Sequence, residues 1–244
     1  MIALLLATVL AAQTPELSEG YLYRTLTLRA APGDLLEVLE MYLDRMPVYE
    51  SAGDERPFIM RHSQGDQWDL LLLFPMGSPE EYFSEARIAN RESAGQQSGL
   101  SDAEFLQQLN ERVAWREDLY VLGPSLEIVR EAFENNSYYH VEMFIALPGK
   151  RAKLIEEREM ENAYLEGIGR PLNLIFTRVS GAAWDSYTIG FYHDIKHYAA
   201  SADISDAEKE ASAKAAGFEG ADRIGTFLRT LIQLHHDTLA TAVR

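Results

Sequence analysis

Pro32-Gly33 with Gly65-Asp66-Gln67-Trp68-Asp69, and Pro148-Gly149 with Gly181-Ala182-Ala183-Trp184-Asp185, are one pair of landmarks met twice, 116 residues apart and with no gap between them. At the same offset Tyr23 falls on Tyr139, Glu40 on Glu156, Gly53 on Gly169 and Tyr82 on Tyr198. Self-similarity at a fixed offset marks an internal repeat, so the chain reads as a tandem duplication with units over 21–136 and 137–244. Past the landmarks the register slips, but Ser101-Asp102-Ala103-Glu104 returns as Ser205-Asp206-Ala207-Glu208, and Gly123-x-x-Leu126 as Gly225-x-x-Leu228.

Each unit opens on a stretch rich in Tyr, Thr, Val and Ile, 21–30 and 138–146, that suits a strand stopped by Pro-Gly. A helix follows, its apolar residues returning at spacings of three and four in Leu35-Leu36-x-Val38-Leu39-x-x-Tyr42-Leu43. Two strands then flank a glycine turn: 58–61 and 68–74 around Gly65, and 174–179 and 184–192 around Gly181. Such a turn needs the positive φ that glycine supplies. Ser78-Pro79-Glu80-Glu81 opens a further helix with a cap, a proline at the first helical position and early negative charge. The rest of each unit reads as helix, His235-His236 included. A βαββα order with a central hairpin is the split-βαβ, ferredoxin-like unit. Its sheet leaves one apolar face bare, which a second unit in the same chain would cover. The expected class is therefore α+β: two ferredoxin-like βαββα units closing into an intramolecular dimeric α/β barrel, with extra C-terminal helices in each.

The pattern resembles the dimeric α/β-barrel superfamily, which includes antibiotic-biosynthesis-type monooxygenases, NIPSNAP-like and EthD-like proteins and the haem-binding chlorite dismutase group. The resemblance lies in the element order and in the strand-Pro-Gly-helix junctions at Pro32-Gly33 and Pro148-Gly149. No catalytic motif carries over residue by residue. It implies a small-molecule pocket between a sheet and the helices over it, and admits haem as a cofactor.

Composition sets outer limits. The 244 residues carry a net charge of −16 and no cysteine, which excludes disulfides, thiolate nucleophiles and Cys-ligated metals. A phosphate backbone would need clustered Lys and Arg, so no nucleic-acid partner is expected. The apolar run Ile2–Ala12 is shorter than the ~20 residues that span a bilayer, so no membrane span is expected. It suits the core of a signal peptide over 1–12, cleaved after Ala11 or Ala12, with 13–20 as linker. The protein is thus expected to be exported, and periplasmic in a Gram-negative cell.

Comparing the copies separates scaffold from novelty. Trp68-Asp69 and Trp184-Asp185 recur, which suits a structural role: a packed ring and a carboxylate accepting backbone hydrogen bonds. By contrast Arg24 becomes His140, Leu26 becomes Glu142, Gly77 becomes His193 and Glu81 becomes His197. His140 and Glu142 alternate along one strand and so share a face. Leu26 marks that position as sheltered, where burial raises a carboxyl toward values useful for proton transfer, unless His140 or Arg178 holds it ionised. Glu142 and His140 are the candidate catalytic pair. Trp184, Tyr187, Tyr192, His193, His197 and Arg178 are candidate ligand-binding residues, although aromatics at strand spacing suit plain core as well.

His193 and His197, four apart, share a helix face if a helix begins there. The His-Glu-x-x-His pattern is absent, and no metal centre is expected. His235 and His236, adjacent on a helix, would point about 100° apart and not share an ion. Residues 21–136 carry 10 basic and 21 acidic side chains against 12 and 15 in 137–244. The second unit is the less repulsive host for an anion, and the pocket is placed there. The sequence supports an exported small-molecule-binding protein and leaves two uses open. One is cofactor-free oxygenase- or isomerase-like chemistry, or haem binding; the other is a non-catalytic periplasmic carrier or protein-interaction module.

Overall fold

Alternation along the first strand, β1 (Tyr21–Ala30), sends Tyr23, Thr25 and Thr27 to one face and Leu26 and Leu28 to the other, and both faces are buried. Each face belongs to a different core. The computed structural model describes residues 20–243; the expected leader and linker at 1–19 lie outside the described residues, as does residue 244. After β1 come α1 (Leu35–Ser51), β2 (Phe58–Gln64), β3 (Leu70–Gly77), α2 (Pro79–Tyr82), α3 (Glu85–Gln97), α4 (Asp102–Arg112), β4 (Val113–Gly123) and α5 (Leu126–Asn135). The second half runs β5 (Tyr138–Ala146), α6 (Arg151–Gly167), β6 (Leu174–Gly181), β7 (Ser186–Tyr192), α7 (Ile195–Ala199), α8 (Asp206–Ala215), α9 (Ile224–Arg229) and β8 (Ile232–Ala242).

The eight strands close into an antiparallel barrel in the order β1-β3-β2-β8-β5-β7-β6-β4. Cut at the seams β2–β8 and β4–β6, it falls into β4-β1-β3-β2 and β8-β5-β7-β6, the same strand order twice. Side chains of both halves fill the interior, among them Tyr23, Met60, Trp68, Val121, Tyr139, Trp184, Tyr187 and Phe191. The Tyr187 hydroxyl crosses this core to the Thr25 hydroxyl at 2.6 Å. Outside the barrel, α1 and α4 cover the first half through Val38, Tyr42, Phe105 and Leu109, while Leu154 of α6 and Leu228 of α9 pack on Phe144 in the second.

The repeated landmarks do equivalent work in the two halves. Asp69 accepts a hydrogen bond from the Ala30 amide at 2.8 Å, and Asp185 from the Ala146 amide at 2.9 Å, each tying a hairpin strand to the end of the strand before Pro-Gly. Gly65 (φ +121°) and Gly181 (φ +102°) turn the hairpins in the left-handed region, and a Cβ at either would collide with a backbone carbonyl of the other half, Asp237 or Asp118 respectively. Ser101 and Ser205 each close a capping box with the glutamate three residues on, and Ser78 caps α2 with Pro79 at its first position.

Two expectations need correction. Residues 113–123 and 232–242, read as helix, are the fourth strand of each half, so no helix stands at the C-terminal end of the second half. Their polar runs, Arg116-Glu117-Asp118 and His235-His236-Asp237, place charge on both faces and hide the period of two. The supposed match of Gly123 to Gly225 also fails, since Gly123 ends β4 while Gly225 lies within α9. Cross-strand register gives the true correspondence: Leu26 faces Asp118 as Glu142 faces Asp237, and Leu28 faces Arg116 as Phe144 faces His235.

Candidate functional site

The outer face of each half-barrel meets its helices over one equivalent area, and the two areas are filled in opposite ways. In the first half a cavity of about 160 Å³ remains, with a floor of Leu26 and Phe74, a wall of Tyr42, Val48 and Tyr49 from α1, and Phe105 and Leu109 from α4. Four arginines border it. Arg24 pairs with Asp118 at 2.6 Å. Arg45, almost wholly buried, donates to the Leu100 carbonyl and pairs with Asp102. Arg91 holds Asp54 at 2.6 Å and lies 3.6 Å from the centre of the Tyr82 ring. Arg116 is exposed, and among the described residues no ion pair engages it. Burial raises the phenols of Tyr42, Tyr49 and Tyr82, which therefore stay protonated as hydrogen-bond donors.

At the same place in the second half the space is taken by ions. Arg158 of α6, 2% exposed, forks onto Glu157 with bonds of 2.6 and 2.8 Å, lies 4.8 Å from the Phe144 ring centre, and reaches Glu142 at 3.6 Å and Glu161 at 2.7 Å. Glu142 also accepts from Thr188 at 3.3 Å and sits 3.3 Å from His235 Nε2. Burial pushes the Glu142 carboxyl up, but the His235 hydrogen bond and the charges of His140 and Arg158 outweigh it and hold the group below the usual carboxylate range. Glu161 goes the other way: burial lifts it to about 7, against the pull of Arg158. His235, bonded to Asp237 and Glu142, is raised to about 9. For His140, burial acts downward, and the Asp237 hydrogen bond and surrounding carboxylates more than reverse it.

The predicted residues divide by strand parity. His140, Glu142 and Tyr192 share the outer face, and Tyr198 links them, its ring 5.4 Å from His140 and 5.2 Å from Tyr192. Trp184 and Tyr187 point into the barrel and belong to its core, so they do not join that group. Trp184 donates to Glu117 at 3.0 Å, at the end of the barrel interior. Arg178 pairs with Asp185 at 2.6 Å and is not the cation of Glu142; Arg158 and His235 are. His193 precedes α7 rather than opening it, since Asp194 caps that helix. The His193 and His197 rings nonetheless stack at 4.8 Å on the surface, with His193 Nδ1 3.0 Å from the Asn135 carbonyl oxygen.

The cavity of about 160 Å³ lies in the first half. An open groove of about 700 Å³ lies along α6 and α9, with Met160, Phe218 and Phe227 in its walls, and none of the predicted site residues lines it or the cavity. His235 and Asp237 were missed because β8 was taken for helix. The cavity left no sequence signal because Arg24, Arg45, Arg91 and Arg116 sit on β1, α1, α3 and β4 and meet only in the folded chain.

Haem does not fit these residues. The cavity has room for about one substituted ring, comparable to a benzene-sized void, and carries no histidine. On the outer face that carries His140, Arg158 with Glu157 and Glu161 fills the space between sheet and helix that a porphyrin would need.

No protein-family model and no curated protein matches the sequence. Among solved structures, an anthrone oxidase-like protein superposes with a TM-score of 0.60 at 11% identity, over 93% of this chain and 93% of that one. A chlorite dismutase variant from Candidatus Nitrospira defluvii superposes with a TM-score of 0.50 at 13% identity, over 93% of this chain and 94% of that one. Among the described residues no helix is long and apolar enough to cross a membrane. The strand order and these likenesses together establish that the chain adopts the dimeric α/β-barrel fold.

Proposed function

We propose that the protein captures a small aromatic anion, a one-ring carboxylate or phenolate, in the first-half cavity. The observation that supports this reading is the cavity's lining: an apolar floor and walls sized for one ring, bordered by Arg24, Arg45, Arg91 and Arg116 and by protonated phenols. Arg116, which no ion pair engages among the described residues, attracts negative charge, the tyrosines donate to it, and the apolar walls select a flat, oily body. The lining carboxylates Asp54 and Asp102 are both held by arginines, leaving neither free as a general base. Capture is therefore favoured over turnover. The anthrone oxidase-like neighbour fits an aromatic ligand, and the resemblance to small-molecule-binding barrels agrees with it.

In this reading the two halves arose by duplication, and one kept the space while the other filled it with Arg158 and its glutamates. The apolar run Ile2–Ala12 directs export, so that the carrier works outside the cytoplasm; the mass of the mature chain tests that step. For the ligand, calorimetric titration with benzoate, salicylate and the uncharged benzamide is the test. The anions are expected to bind one per chain and the amide more weakly. Leu106 is 42% exposed at the cavity margin, and Leu106→Trp is expected to abolish binding without altering the fold. Equal binding of anion and amide, or unchanged binding in Leu106→Trp, would overturn the assignment.

A further inference from the structure

We propose that His140, Glu142 and Asp237, with His235 beside them, form a binding site for a divalent first-row transition-metal ion, separate from the cavity. One donor atom from each of the first three lies within 4.8 Å of the others. His140 Nε2 is 3.1 Å from Asp237 Oδ1, and His235 Nε2 is 3.3 Å from both Asp237 Oδ1 and Glu142 Oε1. Ligands held at about 2.0–2.2 Å from one ion in tetrahedral array stand roughly 3.3–3.6 Å apart, so these donors need little rearrangement to receive one.

Register adds an electrostatic reason. Glu142 and Asp237 stand directly opposite on neighbouring strands, an arrangement that is unfavourable for like charges. His235, in contact with both carboxylates, offsets that repulsion as a cation, and a dication bound by the neutral imidazole takes over the same role. The equivalent positions of the first half hold Arg24, Leu26, Arg116 and Asp118, where the arginine-carboxylate pair leaves no place for a metal. In the second half both guanidiniums have become imidazoles and the leucine a carboxylate, so all three changes produce a metal-ligating side chain.

The surroundings suit ligands. Arg158 and Thr188 approach Oε2 of Glu142 and leave Oε1 turned toward His235. His235 stacks on Phe144 at 4.9 Å and 6°, and His140 leans on Tyr198, so both rings are oriented. Asp237 is 55% exposed, which gives an ion access from solvent and leaves room for water as a further ligand. Two nitrogens and two carboxylates select zinc, iron(II) or manganese(II) over calcium and magnesium, which take oxygen alone, and over copper(I), which favours sulfur.

The test is titration of the chelator-treated full chain with cobalt(II), read by visible absorption, and with zinc(II), read by calorimetry. One ion per chain is expected. Asp237→Asn and His140→Ala should each weaken binding by about tenfold or more, while the double variant His193→Ala/His197→Ala binds as the parent does. Circular dichroism confirms folding. Asp237→Asn decides the matter if His140→Ala does not fold, because the Asp237 side chain is mostly exposed. Absence of saturable binding, or the parent's affinity in Asp237→Asn, would overturn the proposal.

Discussion

Replacing Glu161 by glutamine should stabilise the protein in mildly alkaline solution and change little in acid. Glu161 sits on α6 with its Oε2 buried 2.7 Å from Arg158 Nη1, at an angle that makes no hydrogen bond. The charges facing it are Arg158 and Glu157 on its own helix and Glu142 and His140 on β5, and the net result with burial is a carboxyl raised from 4.5 to about 7. The folded state therefore keeps a proton that the unfolded chain releases, so stability falls as pH climbs through that window. The interval from 4.5 to about 7, at ~1.36 kcal/mol per pH unit, corresponds to about 3 kcal/mol lost above neutrality. Glutamine has the shape of the protonated acid and escapes the loss. Urea unfolding of parent and variant across this range, with m-values compared to confirm a common unfolded state, should give curves that nearly coincide below the window. They should separate through it, with the variant more stable above it. A variant that is instead less stable at alkaline pH, by the ~3–5 kcal/mol of a broken buried ion pair, would show that Glu161 is ionised and that Arg158 holds it.

Tyr187→Phe should leave the Thr25 hydroxyl, 1% exposed, without its partner across the barrel and cost about 1–3 kcal/mol in chemical unfolding; no loss would mean that the hydroxyl pair does not brace the core. Gly181→Ala and Gly65→Ala should each cost more than the ~1 kcal/mol of an ordinary glycine replacement, because the added carbon meets the backbone of the other half. A drop in melting temperature checks both, and a neutral effect would place the turn elsewhere.

Local chemistry made half of the architecture legible. Pro-Gly stops, hairpin glycines and Ser-capped helix starts act within a few residues, and β1 and β5 appear with the bounds read from sequence. The fourth strands escaped because a strand that contributes to a barrel core and to an outer ionic layer has no polar face to alternate with. Glu142 stood out because it stands where the first half has Leu26, and His140 because it shares that face two residues earlier. Their partners did not, since Arg158, His235 and Asp237 arrive from other elements. Net charge did not show that four arginines of the acidic first half converge on one space, together with Asp54 and Asp102.

The seams of the barrel bear on how the chain folds as it is made. β8 pairs with β5 on one side and β2 on the other, so the last of the described strands closes a gap opened by the second. Until residues 232–242 emerge, the edge of β2 and one edge of β5 present unpaired backbone, a template for association with other chains. Contacts between residues so distant in sequence form slowly. Nascent chains arrested before β8 should therefore be the species that chaperones hold, and a chain cut between α9 and β8 the one that aggregates.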